Sequence, residues 1–148
     1  MIAPTKTILT RSALIILGIL IFPSSVWAAC NANPEKFFPT PVITAATGEL
    51  VLSTSANNWA FTEGCVYRFQ SGGVSISIRK DDSAKRAQDS FNANYKNKPQ
   101  LDIGDASAYL GGNLGGVAIK GVFTFIASDA CCGFNLNQSQ VESLLRYA

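Results

Sequence analysis

Residues 65–80 read CVYRFQSGGVSISIRK and contain two strand-like runs that meet at Gly72-Gly73. Glycine adopts the positive φ values that a tight reversal needs, so this pair marks a turn. β-branched and aromatic residues, which suit a pleated and half-buried surface, dominate both runs. In the second run apolar and polar residues alternate, with Val74, Ile76 and Ile78 facing one way and Ser75, Ser77 and Arg79 the other. The stretch predicts a β-hairpin from which an antiparallel sheet extends.

Helical patterns follow the hairpin and end the chain. Apolar residues recur at spacings of three and four from Asp82 to Tyr95 and predict an amphipathic helix, which Pro99 ends at the latest. Asn137, with Gln140 three residues on, is typical of a capping box and predicts a last helix over Gln138–Tyr147. Glycine-rich turns at 111–116 and 120–121 separate three predicted strands between these helices.

The region before the hairpin is less regular. The segment from Cys30 to Pro41 contains three prolines, Pro34, Pro39 and Pro41, which predict an extended arm. Residues 42–46 fit a short helix that Gly48 ends, and Leu50–Leu52 fit a strand. Taken together, the patterns predict an α+β fold: an antiparallel sheet of about five strands, with the helices over 82–95 and 138–147 packed on one face, stapled by disulfides.

The first 28 residues differ in composition from the rest. Lys6 and Arg11 precede an apolar run of 11 residues, Ser12–Phe22, which is shorter than the roughly 20 residues that span a bilayer. We predict a secretory signal peptide over 1–28 and a single α+β domain over 29–148, located in the periplasm or secreted. Ala28-Ala29-Cys30 also resembles the end of a lipoprotein signal, which would instead anchor the protein through a lipid on Cys30.

The predicted mature chain has no net charge. The signal peptide contains two of the twelve Lys and Arg residues and none of the ten Asp and Glu residues, so ten of each sign remain. This balance argues against binding to nucleic acid, and no transmembrane helix is expected in the mature chain. The region from Arg79 to Lys98 is locally basic, and its candidate partner surface consists of Lys85, Arg86, Lys96 and Lys98.

All four cysteines, Cys30, Cys65, Cys131 and Cys132, lie in the predicted mature chain. Export favours disulfides, and four cysteines allow three connectivities. A bond between adjacent cysteines closes a cramped ring. We therefore expect Cys30 and Cys65 each to bond one member of the Cys131-Cys132 pair, which leaves no free thiol. If Cys30 is lipidated, one bridge and one thiol remain.

The sequence lacks the residues that several classes of catalytic and metal-binding site require. The chain has no histidine, the commonest general base and metal ligand, and its one methionine is the initiator. The cysteines lack C-x-x-C spacing, so no metal or cofactor is predicted. Gly111–Gly116 lacks the Gly-Lys-Ser/Thr ending of a phosphate loop. The pairs Asp81/Asp82 and Asp102/Asp105 fit capping or turn roles, and no catalytic residue is predicted.

Ile103–Ser107, with sequence IGDAS, follows a cysteine-bearing hairpin and a helix, and a further hairpin and a short helix come after it. This order resembles small exported or lipoprotein-borne α+β domains of unassigned function in bacterial envelopes, over most of residues 40–148. The resemblance implies the order of the elements and an envelope location, and it assigns no functional residue.

These observations favour a non-catalytic exported protein that binds an envelope protein or a small ligand. Two alternatives remain: a small enzyme that uses Ser, Lys and Asp groups, and a thiol–disulfide redox protein that uses Cys131-Cys132. The redox alternative needs a nearby positive charge, and no Lys, Arg or His lies within ten residues of the pair. We therefore expect structural sulfurs of low reduction potential.

Overall fold

The computed structural model of the protein describes residues 38–57 and 62–148. The predicted signal peptide, Cys30 and most of the predicted extended arm lie outside these residues. The elements in chain order are α1 (Thr40–Thr47), β1 (Ser53–Ala56), β2 (Thr62–Arg68), β3 (Gly73–Lys80), α2 (Ala84–Tyr95), β4 (Gln100–Leu101), β5 (Ala106–Gly111), β6 (Gly115–Lys120), β7 (Phe123–Cys131) and α3 (Gln138–Tyr147). A 3-10 turn, Gly112–Leu114, connects β5 to β6.

The seven strands form one antiparallel sheet in the order β1-β2-β3-β7-β6-β5-β4. The predicted hairpin is confirmed: β2 pairs with β3, and the Phe69 N–H donates to the Gly72 carbonyl across the turn at 2.8 Å. Because β7 adds to the free side of β3, the hairpin lies inside the sheet. Val74 and Ile76 of β3 are accordingly buried.

The helices pack on opposite faces of the sheet, so the prediction of one helical face is wrong. On one face α3 packs with α1, and its Val141, Leu144 and Leu145 join Val74 and Ile76 in the larger core. On the other face α2 contributes Phe91 to a smaller core with Ala108, Val117 and Ile119. Alternation along β6 explains this arrangement, because Ala118 faces α3 while its neighbours Val117 and Ile119 face α2.

The predicted strand number is also wrong, although the α+β class and antiparallel pairing are found. Seven strands replace about five, and a third helix, α1, forms where residues 42–46 fit a short helix ended by Gly48. The predicted strand over Leu50–Leu52 is wrong: β1 begins at Ser53, and both leucines are exposed. β1 and β4 lack sequence signals because the first reads STSA and the second has two residues. Both are edge strands, which need less apolar surface than central ones.

The predicted disulfides to the adjacent pair do not form: Cys131 and Cys132 are free thiols. Cys65 lies opposite Ile76, which in turn lies opposite Ala127 of β7. Two strand spacings therefore separate Cys65 from β7, about 10 Å, and Cys131 is four residues farther along. A disulfide needs Cα atoms within about 7 Å. The predicted disulfide between Cys65 and a member of this pair is thus geometrically excluded. Cys30 lies outside the described residues.

The predicted ends of α3 and the predicted end of α2 at Tyr95 agree with the structure, whereas α2 begins at Ala84, two residues after the predicted Asp82. Ser83 caps α2 by accepting from the Arg86 N–H at 3.2 Å. Asn137 and Gln140 form the predicted capping box of α3, with bonds of 2.9 and 3.0 Å. Within residues 38–57 and 62–148, none of the helices is both long and apolar enough to cross a membrane.

Candidate functional site

The candidate site is the vicinal thiol pair at the end of β7. Along β7, alternation would place Cys131 on the same face as Ala127 and Asp129. The β3–β7 register shifts between Gly73 and Val74, so Asp129 pairs with Val74 whereas Cys131 pairs with Gly73. Gly73 also pairs with Arg68 of β2. The bulge therefore turns Cys131 onto the face that carries Arg68.

Arg68 contacts the first thiol directly. Its Nη1 donates to Cys131 Sγ at 3.6 Å, although 63 residues separate the two in sequence. The Cys131 N–H donates to Asp129 Oδ1 at 3.0 Å, which fixes the backbone just before the pair. Cys131 is half-buried and Cys132 is exposed. The fold therefore supplies the cation that the neighbouring sequence lacks.

The second thiol has an unusual backbone and a perturbed titration. Cys132 has φ +68°, in the left-handed region that residues other than glycine seldom adopt. A hydrogen bond with Cys131 and the charge of that neighbour raise the pKa of Cys132, and the positive charge of Arg68 partly opposes the shift. Cys132 thus keeps its proton to higher pH, and Cys131 is the thiol that faces the guanidinium.

Two exposed leucines lie at the same end of the sheet as the pair. The Leu52 N–H donates to the Arg68 carbonyl at 2.8 Å, which places Leu52 beside the end of β2. Leu114 precedes Gly115, and Gly115 lies against Ala127 and Ser128 of β7. Leu52 is 62% exposed and Leu114 is 63% exposed. We name this end of the sheet the thiol rim, which consists of Leu52, Arg68, Leu114, Cys131 and Cys132.

The residues predicted as a partner surface lie elsewhere, on and just after α2. Lys85 Nζ donates to Asp89 Oδ2, and Arg86 Nη1 donates to Asp82 Oδ2, each at 2.5 Å. Lys96 follows the last residue of α2, and Lys98 lies in the turn beyond it. All four side chains are exposed. Two of the four cations are therefore balanced by carboxylates four residues away in sequence, and the four do not converge on one site.

The paired carboxylates have structural partners. Asp81 Oδ2 accepts from Arg79 Nη2 at 3.2 Å and from Thr124 Oγ1 at 3.1 Å. Thr124 is buried, so its hydroxyl is inaccessible to a substrate. Asp105 Oδ2 accepts from the Gly121 N–H at 2.6 Å and closes a turn. Within the described part of the chain, no cluster of three or more His, Cys, Asp or Glu side chains could hold a metal ion.

Sequence reasoning identified the cysteines but missed Arg68. Arg68 ends β2 just before the tight turn, where a charged residue is unremarkable. Its contact with Cys131 depends on the pairing of β3 with β7 and on the bulge, and neither feature has a local sequence signal. Comparisons of the chain with known protein families, with curated proteins and with solved structures find no match.

Proposed function

We propose that the protein is a non-catalytic binding protein of the bacterial cell envelope that captures a disulfide-bearing partner at the thiol rim. The observation that supports this proposal is the free Cys131-Cys132 pair beside Arg68, at an exposed end of the sheet. Two exposed leucines at the same end of the sheet, Leu52 and Leu114, provide apolar contact area for a partner. The envelope location follows from the signal-like composition of residues 1–28.

Capture proceeds by thiol–disulfide exchange. The Cys131 thiolate attacks one sulfur of the partner's disulfide, and a new S–S bond forms between the two proteins. The old S–S bond breaks, and the partner's other sulfur leaves with the electron pair and takes a proton from water. Arg68 is a positioning residue, because its positive charge lies at the sulfur that carries the negative charge before attack.

The adjacent thiol is poorly placed to reverse the capture. Release by Cys132 would require a disulfide between neighbouring residues, whose Cα atoms lie about 3.8 Å apart across a trans peptide. Ordinary disulfides join Cα atoms about 4.4–6.8 Å apart. The mixed disulfide therefore persists, and the reaction binds a partner rather than turning over. This distinguishes the proposed function from that of a redox enzyme.

The test uses the folded, reduced protein and glutathione disulfide as the probe. Intact-mass spectrometry measures the rate at which one glutathione adduct appears. We expect Cys131→Ser to slow the adduct at least tenfold and Cys132→Ser to retain a stable adduct. Equal rates in the two variants, or no adduct in the wild-type protein, would contradict the proposal.

The role of Arg68 is tested by charge removal with a matched control. Arg68→Gln should slow adduct formation by about twofold to fivefold, the size expected for an exposed charge pair. Arg68→Lys should recover part of the rate, because it restores the positive charge. Lys120→Gln removes the same charge from an exposed residue at the other end of the sheet and should leave the rate unchanged. Raised salt should narrow the difference between Arg68→Gln and the wild-type protein.

A further inference from the structure

A polar cavity of about 380 Å³ lies at the opposite end of the sheet from the thiol rim. Its lining residues come from the end of β3, from the segment before α2 and from α2 itself: Arg79, Lys80, Asp81, Asp82, Arg86 and Ser90. The volume is near the lower end of the range for small-molecule sites. β3 has eight residues and separates the two ends by roughly 23 Å. The cavity is therefore distinct from the candidate thiol site.

The lining of the cavity carries a positive balance. Three side chains are cationic and two are anionic. Asp81 is paired with Arg79, and Asp82 is paired with Arg86. Among the described residues Lys80 makes no ion pair, and its side chain is exposed. The two carboxylates are thus already neutralised, and Lys80 supplies the uncompensated charge.

Arg79, one of the lining residues, is held in place by several hydrogen bonds. Its Nη2 donates to Asp81 Oδ2 at 3.2 Å, to Ser90 Oγ at 3.2 Å and to Thr124 Oγ1 at 3.5 Å. These three partners belong to the segment that follows β3, to α2 and to β7, so two elements besides β3 fix the guanidinium. The side chain of Asp81 is only 9% exposed. A cation fixed in advance loses less conformational entropy when it binds an anion.

We infer that this cavity binds the phosphate group of a small ligand. Lys80 and Arg86 contact the phosphate oxygens at the rim, and Arg79 supplies fixed positive charge below them. Guanidinium and ammonium groups are the side chains that most often bind phosphate. The first turn of α2, which borders the cavity, contains no acidic residue that would repel the anion. The phosphate belongs either to a free small molecule or to a lipid headgroup.

Titration calorimetry with glycerol 3-phosphate, on the folded protein, tests the inference. Lys80→Gln should weaken binding roughly tenfold, as expected for loss of one charged hydrogen-bond donor. Lys98→Gln removes the same charge outside the cavity and should have no effect. Retained affinity in Lys80→Gln, or equal weakening in Lys98→Gln, would overturn the inference. Absence of heat with glycerol 3-phosphate and with vesicles would do the same.

The source of the phosphate is decided by vesicle flotation. Vesicles of phosphatidylglycerol and phosphatidylcholine, compared with phosphatidylcholine alone, report binding to a lipid headgroup. Co-flotation that Lys80→Gln abolishes assigns the cavity to a headgroup; calorimetric binding without co-flotation assigns it to a free phosphate compound. Because neither readout depends on Cys131, the phosphate inference and the thiol proposal can fail separately.

Discussion

Tyr67 connects the central hairpin to the chain that precedes α1. Its ring is fully buried, and its hydroxyl donates to the Phe38 carbonyl at 2.7 Å. Phe38 in turn packs edge-on against Tyr147 of α3, with ring centroids 4.8 Å apart. The Tyr67 hydroxyl therefore links Phe38, which precedes α1, to strand β2 of the sheet. Burial of this phenol raises its pKa well above the ordinary value of 10.0, and the hydrogen bond to Phe38 only partly opposes the shift.

The raised pKa of Tyr67 predicts a loss of stability in alkali. The folded state holds the phenol proton more tightly than the unfolded state, so this contribution is complete below pH 10 and declines as pH rises above it. At pH 11 this group should lower the free energy of unfolding by roughly 1 kcal/mol relative to pH 7. Tyr67→Phe should lower the free energy of unfolding by about 1–2 kcal/mol at pH 7, because the Phe38 carbonyl loses its hydrogen-bond donor. Urea unfolding at pH 7 and pH 11 should show a smaller alkaline loss in Tyr67→Phe; an equal loss in both proteins would exclude Tyr67 as its source.

At the scale of elements, two turn glycines with similar positive φ angles differ in their surroundings. Gly115, at the start of β6, has φ +62°, and Gly121, between β6 and β7, has φ +59°. A Cβ atom on Gly115 would lie 1.9 Å from the Ala127 carbonyl oxygen, whereas a Cβ on Gly121 would have no heavy atom within 4 Å. The first turn therefore needs glycine for both conformation and space, and the second for conformation alone.

This difference predicts unequal costs for the same substitution. Gly121→Ala should lower the free energy of unfolding by about 1–2 kcal/mol, the cost of left-handed backbone at an alanine. Gly115→Ala should cost more than about 3 kcal/mol, because β6 and β7 must also separate. Chemical denaturation of the two variants measures the difference. Similar costs at the two positions would mean that the contact with Ala127 relaxes freely.

At the scale of the whole molecule, one sheet supports two cores of unequal size. Among the described residues the core under α3 contains fourteen buried residues, and the core under α2 contains four. Buried apolar area is the main favourable term in folding, so α2 should be held less firmly than α3. A polar network around Arg79 adds to the attachment of α2.

Hydrogen exchange should resolve the two cores. Amides of α2 should exchange at a lower opening free energy than amides of β3 and β7, which lie at the centre of the sheet. Phe91→Ala should speed exchange in α2 selectively, whereas Leu144→Ala, in the larger core, should lower protection throughout the sheet. Equal protection of α2 and β3 in the wild-type protein would show that the two faces open as one unit.

The sequence by itself determined the local structure of this protein. The alternation of apolar and polar residues identified β3, the Gly72-Gly73 pair identified the hairpin turn, and Asn137 with Gln140 identified the start of α3. Each of these features depends on residues that are neighbours in the chain. The α+β class follows from these same patterns. The signal peptide, the export of the protein and its non-catalytic role remain predictions.

Only the tertiary structure decided which face each helix covers and which cysteines meet. Those outcomes depend on strand order: β7 inserts beside β3, which keeps Cys65 away from Cys131 and brings Arg68 to it. A bulge of one residue determines the face of Cys131, and nothing in the sequence of β7 marks it. Strand order and register are set by packing between distant segments, so local patterns do not reveal them.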